Sequence, residues 1–311
     1  MENRVQVANT RLEIFPVVLG TVAMGERVSR PQAFEIIDAY LDFGGNAIDT
    51  ARVYAGGKSE EILGEYFQSR GTRSDFVLIS KGGHPRFESM HTGRMSRADM
   101  QSDLEESLHA LKTDYIDIYF YHRDNLEQPV SESIEIMEGF VKEGKIRYYA
   151  CSNWTPERMS QAEKYCRETG KTGFVANQAL YNCGSDHMLS LPDDTMCRMD
   201  GEMKRLHRES EMLSMPYSGV CNGFFHRLLS QGEEAVKNSP YYTGENLRIA
   251  GKIEALALNY GVSISKVLLG FFFSRDFKNC PIFGPSKLPQ IQDLADITQI
   301  KFRKEDFDFL D

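Results

Sequence analysis

The chain has 311 residues, 41% apolar and 26% charged, with a formal net charge of −9. That composition describes a globular domain with ample core. Its acidic balance counts against nucleic acid or an anionic membrane surface as the main partner. The first fifteen residues are polar and lack an apolar signal core. No apolar stretch reaches the roughly 18 residues of a membrane span. The six cysteines (Cys151, Cys166, Cys183, Cys197, Cys221, Cys280) show neither CxxC pairs nor zinc-like spacing. A cytosolic protein with reduced thiols and no metal is therefore expected.

Along the chain, short apolar runs alternate with helical patterns. Residues 4–15 read as a small hairpin with Ala8-Asn9-Thr10 as its turn. A first short strand follows at 16–19, then a helix at 31–43 with Ser29 as a candidate cap. The alternation continues with strand 46–48, helix 59–68, strand 76–80 and helix 97–111, the last preceded by Ser96. Strand 115–121, helix 131–143, strand 146–150, helix 156–168 and strand 174–178 come next. Helix 196–209 and strand 211–215 lead to a long connection at 219–245. Helices near 246–259 and 263–274, a last strand at 280–283, helix 287–297 and a short tail complete the chain. Short apolar strands with little alternation suit a parallel sheet covered by helices. Eight strand-plus-helix units favour closure, so the expected fold is an α/β (β/α)8 TIM barrel with a short N-terminal β-hairpin, one domain over 1–311. Long connections after the third and seventh strands (82–95 and 219–245) are expected to shape substrate access.

The chemistry concentrates at three consecutive strand ends. Asp49 and Tyr54 lie five residues apart in the run Gly45-Asn-Ala-Ile-Asp49-Thr-Ala-Arg-Val-Tyr54, which continues to Gly64. Lys81 closes the next apolar run and His122 the one after. Barrel folds keep their chemistry at the C-terminal ends of their strands. A free phenol ionises near pH 10 and is a sluggish acid at neutrality. An ammonium beside it lowers that value, so Lys81 is expected to activate Tyr54, with Asp49 holding Lys81 by a charge-assisted hydrogen bond. His122 is placed to donate to a carbonyl oxygen. Together these groups polarise and protonate a carbonyl, while hydride must come from a nicotinamide cofactor, because no side chain supplies it. The segment Leu19-Gly-Thr-Val-Ala-Met-Gly25 lacks G-x-G-x-x-G, which counts against a Rossmann site. The dinucleotide is therefore expected across the barrel mouth, its phosphates near strands seven and eight. Val22, His84, Pro85, Arg123 and Trp154 lie just past strand ends and are candidate pocket residues. For Trp154 the alternative is a packing role at the start of the fifth helix. Arg123 and Asp124 offer each other a salt bridge. Glu88, Asp186, Asp193 and Asp194 in the loops hint at polar substrates such as sugars.

These residues resemble the aldo-keto reductase superfamily over essentially the whole chain. Leu19-Gly20-Thr21 looks like its opening strand motif, and Ile48-Asp-Thr-Ala-x-x-Tyr54 with Ser59-Glu-Glu-Ile-Leu-Gly64 is the most specific match. The resemblance implies an (α/β)8 barrel that reduces carbonyls with a nicotinamide cofactor, NADPH ahead of NADH. It makes Asp49, Tyr54, Lys81 and His122 the catalytic set, with Tyr54 as general acid/base. It also implies a cofactor site of Gly20, Thr21, Asp49, Ser152, Asn153 and Gln178 near the nicotinamide. Tyr217 would be the stacking platform, and Ser218, Gly219, Val220, Asn222 and Gly223 the pyrophosphate wrap. Ser286, Lys287, Gln290 and Asp293 would hold the adenosine end. Three departures stand out. Leu294 stands where an Asn is common, Gly284 where a basic residue often marks NADPH, and Gly219 where a Pro is usual. The substrate expected is a small-molecule carbonyl or alcohol. Two other readings stay open: a cofactor-binding regulatory subunit of the kind found with potassium channels, and a redox-neutral epimerase with retained cofactor. Oligomeric state is not legible.

Overall fold

The computed structural model describes residues 4–310. Its main sheet has eight parallel strands: β1 (Val18–Gly20), β2 (Ala47–Asp49), β3 (Val77–Gly82), β4 (Ile116–Tyr121), β5 (Ile146–Ser152), β6 (Phe174–Gln178), β7 (Leu213–Ser214) and β8 (Ile282–Phe283). They pair in chain order, with β8 beside β1. The last seam closes through the Cys280 N–H on the Ser214 carbonyl and the Ile282 N–H on the Pro216 carbonyl, both at 2.8 Å. The barrel therefore has no free edge. An antiparallel hairpin, Val5–Gln6 with Glu13–Ile14, precedes it. Its Val7, Leu12 and Ile14 pack with Val18, Ala47 and Val77, which plugs the barrel at the strand N-termini.

Among the described residues ten helices surround the sheet: α1 (Arg30–Asp42), α2 (Lys58–Arg70), α3 (Arg97–Leu111), α4 (Val130–Lys142), α5 (Pro156–Thr169), α6 (Gly201–Ser210), α7 (Phe224–Gln231), α8 (Gly244–Tyr260), α9 (Ile264–Phe273) and α10 (Leu288–Gln292). Their starts follow the capping residues. The Gln32 side chain accepts from the Ser29 N–H, while Ser96 and Thr155 accept from Asp99 N–H and Arg158 N–H. Three expectations shift. Helix 196–209 begins only at Gly201, because Asp200 caps it by accepting from the Met203 N–H at 2.8 Å, while Arg198 bridges to Leu180. The connection 219–245 contains α7. The predicted helix 287–297 stops at Gln292 and resumes as a 3-10 turn at Ile297–Gln299. No single helix among the described residues is long and apolar enough to cross a membrane. The pair α8 and α9 has the length and apolarity together but bends by 95°.

Two apolar layers separate by strand parity. Side chains alternate along a strand, so in β4 Ile118 and Phe120 fill the barrel while Tyr119 and Tyr121 pack under the helices. On the outward row Asp117 accepts from the Leu78 N–H at 2.9 Å, Arg73 at 2.9 Å and Arg147 at 2.7 Å. Both guanidiniums sit 4.1 Å from the Tyr115 ring centre. That knot ties β3 to β4 and β5. Parity also positions the site. Continuing the inward rows Ala47, Ile79, Phe120, Ala150 and Ala176 by one step gives Asp49, Lys81, His122, Ser152 and Gln178 at the barrel mouth.

Candidate active site at the barrel mouth

Register brings the polar groups together. Gly20 pairs with Asp49, Asp49 with Ile79, and Ser152 with Gln178. Lys81 Nζ donates to Asp49 Oδ2 at 2.6 Å, to the Thr50 carbonyl at 2.8 Å and to the Tyr54 hydroxyl at 3.1 Å. The other Asp49 oxygen accepts from Gln178 Nε2 at 2.7 Å. Side chains of Lys81 and Asp49 are only 1% and 3% exposed, so the ion pair is fully desolvated and held by three further bonds. Tyr54 reaches it from a 3-10 turn, Tyr54–Gly57, in which Ala55, Gly56 and Gly57 all have positive φ (51°, 63° and 94°). The His122 ring meets Tyr54 edge-on at 5.8 Å and His84 at 4.8 Å, and its Nδ1 is buried with no partner.

Burial decides the protonation states. It raises the Tyr54 phenol, and the nearby Lys81 charge only partly opposes it, so the net shift is upward. Lys81 does pull it down as expected, but taking a phenolate out of water costs more here than one already engaged ammonium returns. Burial pulls Lys81 down, but the Asp49 carboxylate and Tyr54 outweigh it and the net shift is upward. His122 is driven well below the imidazole range by burial, Lys81, His84 and Arg123. The resting site thus holds a neutral phenol, a neutral imidazole and a charged Lys81–Asp49 pair. Tyr54 donates only while protonated, that is, below its raised pKa. His122 serves as a neutral donor above its depressed pKa. The pH profile of carbonyl reduction is therefore expected to be flat from about 6.5 up towards 10, the ordinary values of the two groups. An inflection of kcat/KM between those limits would contradict these assignments.

Beside this cluster lies a cavity of about 260 Å³ lined by Arg52, Val53, Lys81, His84, Phe87 and His122 among others. Pro85 also lines it. The His84 ring lies 5.3 Å from Phe87, which is 73% exposed at the lip. Val22 is exposed but does not line this cavity; it lies 3.9 Å from where a Cβ on Gly284 would stand. Arg123 is buried and bonds Thr195 at 2.9 Å and Asp193 at 3.3 Å rather than Asp124. Asp124 instead takes both ends of Arg158 at 2.9 Å. Trp154 does not line the pocket. It has no exposed surface, packing against Tyr121 and Phe174 under the Arg158 guanidinium, because the residue following Asn153 turns into the helix layer. Arg52, Val53 and Phe87 are lining residues that sequence reading did not single out. Arg52 and Val53 sit at the unspecified positions of the Asp49-to-Tyr54 motif, and nothing local marks them.

The remaining predicted residues occupy the opposite side of the mouth. Asn153, at φ 61°, donates through Nδ2 to Ser152 Oγ at 3.0 Å, and its Oδ1 accepts from the Tyr217 hydroxyl at 2.7 Å. Tyr217 is half-buried and its ring is thereby pinned. In 218–223, Ser218, Cys221, Asn222 and Gly223 all have positive φ, between 50° and 74°. Alternation of left-handed and ordinary residues builds anion-binding concavities, and Gly219 and Val220 lie within it. Gly20 faces Gly284 across the β1–β8 pair: a Cβ there would stand 3.5 Å from Gly284 and collide with Ile282. Thr21 departs from its expected role. It has no exposed surface, and its hydroxyl donates to the Asp49 carbonyl at 3.0 Å and accepts from Ser59 at 2.8 Å. It braces the strand end instead of facing the mouth. Gln290 Oε1 accepts from Ser286 N–H at 2.8 Å and Lys287 N–H at 3.1 Å, leaving the Lys287 side chain exposed. Asp293 accepts from Ser263 at 2.5 Å and lies 3.7 Å from Lys266. Leu294 is buried.

Comparisons agree with this architecture. The chain is 26% identical over 329 residues to an aryl-alcohol dehydrogenase of Phanerodontia chrysosporium named for NADP(+), covering 96% of this chain and 82% of that one. It is 28% identical over 311 residues to norsolorinic acid reductase B of Dothistroma septosporum, covering 94% and 76%. A crystal structure of an aldo-keto reductase from Klebsiella pneumoniae in complex with NADPH has the same fold, with a TM-score of 0.74 at 24% identity, covering 96% and 91%. The sequence profile of the Aldo/keto reductase family matches residues 16–311. With the closed barrel and the four polar residues at its mouth, that match establishes that the chain belongs to the aldo/keto reductase family.

Proposed function

We propose that the protein interconverts small aromatic aldehydes or ketones and their alcohols with NADPH, Tyr54 donating the proton to the carbonyl oxygen. The observation that carries this reading is Lys81, buried between Asp49 and Tyr54 at 2.6 and 3.1 Å. Because Lys81 is the donor in its bond to Tyr54, the phenol's own hydrogen remains available to a substrate oxygen. When that hydrogen leaves, the ammonium neutralises the phenolate at bonding distance. Neutral His122 orients the carbonyl oxygen by a hydrogen bond without adding charge. The ring wall of His84, Phe87 and His122 supports an aromatic substrate, as do the names of the relatives. Of the four acids that suggested sugars, Asp193 is paired with Arg123 and Asp186 with Lys204, while Glu88 lines the cavity.

The cofactor, when bound, supplies the hydride. The residues fit it: an orphaned buried His122 nitrogen beside the mouth, a pinned half-buried tyrosine, and a loop rich in left-handed residues. Ser152, Asn153 and Gln178 would hold the nicotinamide end and Tyr217 its face. Gly20 would give it room, Ser218 to Gly223 would hold the pyrophosphate, and Ser286, Lys287, Gln290 and Asp293 the adenosine end. Lys287 is the exposed cation suited to a 2′-phosphate, and it takes the part that Gly284 cannot. NADPH is expected to bind at least about tenfold more tightly than NADH, worth about 1.4 kcal/mol. Lys287→Ala should erase most of that ratio. Fluorescence titration of both variants with both cofactors checks this, and equal affinity for NADH in the parent protein would refute the NADPH assignment.

A further inference from the structure

Arg52 stands two residues before Tyr54, and nothing in the carbonyl chemistry requires a cation there. Its guanidinium is nevertheless tightly held. Nη1 lies 3.3 Å from Glu60 Oε2 and Nε lies 3.1 Å from Glu106 Oε2. Glu60 has no exposed surface, accepts from Ser80 Oγ at 2.7 Å, and has Arg52 as its ion-pair partner. A planar guanidinium anchored by buried Glu60 is a rigid plate, and Glu106, whose side chain is 59% exposed, adds a solvent-screened contact at its edge. That plate lies flat on Gly57: a Cβ built at Gly57 would collide with Arg52 Nη1, Nη2 and Cζ together. Gly57 closes the turn whose first residue is Tyr54, and Ala55, Gly56 and Gly57 are all left-handed. Ala55 carries an intrinsic cost of roughly 1–2 kcal/mol in that region, so the turn persists only because its surroundings over-determine it. The α2 side supplies Glu60, the α3 side supplies Glu106, and Arg52 joins both to the turn.

We infer that Arg52 is a positioning residue, a plate anchored by Glu60 and Glu106 that locks the left-handed Tyr54–Gly57 turn and so sets the phenol against Lys81. The inference rests on Tyr54 being the proton donor. Arg52 acts through the backbone of the turn; because it also lines the cavity, a contact with substrate would read out in KM and a positioning role in kcat. A phenol displaced by about 1 Å costs on the order of 100-fold in rate.

The test measures benzaldehyde reduction at saturating NADPH for Arg52→Ala, Arg52→Lys and Tyr54→Phe. Arg52→Ala should lower kcat roughly 10- to 100-fold with KM for benzaldehyde within about twofold. Arg52→Lys keeps a cation for buried Glu60, so it should fold, yet it lacks the plate and should show most of the same kcat loss. Parent-like kcat in Arg52→Lys, or a rise in KM with kcat retained, would each overturn the inference. Full activity in Tyr54→Phe would instead remove the proton-donor reading beneath it, and that arm reads out separately.

Discussion

Tyr54→Phe is expected to lower kcat for carbonyl reduction by about 10²- to 10⁴-fold, the range a positioned general acid contributes, while NADPH affinity stays within about twofold. The substitution removes one oxygen from a ring already fixed edge-on to His122. It deletes the acceptor of one of three Lys81 bonds and leaves the bonds to Asp49 and Thr50 intact. The fold should therefore survive, and the loss should fall on kcat because the phenol's proton moves only in the transition state. Steady-state kinetics on benzaldehyde beside a cofactor titration separate the two effects. Turnover within about twofold of the parent would show that another group protonates the carbonyl.

Lys81→Met is expected to be damaging in two ways. It leaves Asp49 as a carboxylate that is 3% exposed, with Gln178 as its remaining side-chain donor. Breaking a buried pair from one side costs about 3–5 kcal/mol, so the thermal midpoint should fall by several degrees. Pairing the change with Asp49→Asn removes the stranded charge and should recover much of the loss. Activity should not recover with it, because Tyr54 then lacks both its neighbouring charge and its donor. If the double variant were as unstable as Lys81→Met, the buried ion pair would not be what stabilises this end of the barrel.

Much of this was legible in the chain. Strand and helix order follows from periodicity and from the caps at Ser29 and Ser96. The site follows from it by parity: once β2, β3 and β4 are strands, Asp49, Lys81 and His122 must share the inward row with Ala47, Ile79 and Phe120. What was illegible depended on contacts remote in sequence. Arg123 found Asp193, 70 residues away, in preference to its neighbour Asp124. Asp200 and the Leu180–Arg198 bridge shortened α6, and α7 formed within a segment that reads as a loop. Trp154 follows two mouth residues, yet its ring turns under α5, since the strand's alternation no longer governs it beyond Ser152.

The sequence by itself determined the barrel, the identity of the four polar residues and their common face, because apolar spacing and strand parity are local properties of the chain. Only the tertiary structure decided their protonation and exact aim. Tyr54 is raised because burial outweighs Lys81, and Arg52 became a plate on Gly57 because Glu60 and Glu106 converge on it from two helices. Desolvation and long-range ion pairing depend on which groups exclude water around a side chain, and that is settled only when distant segments pack.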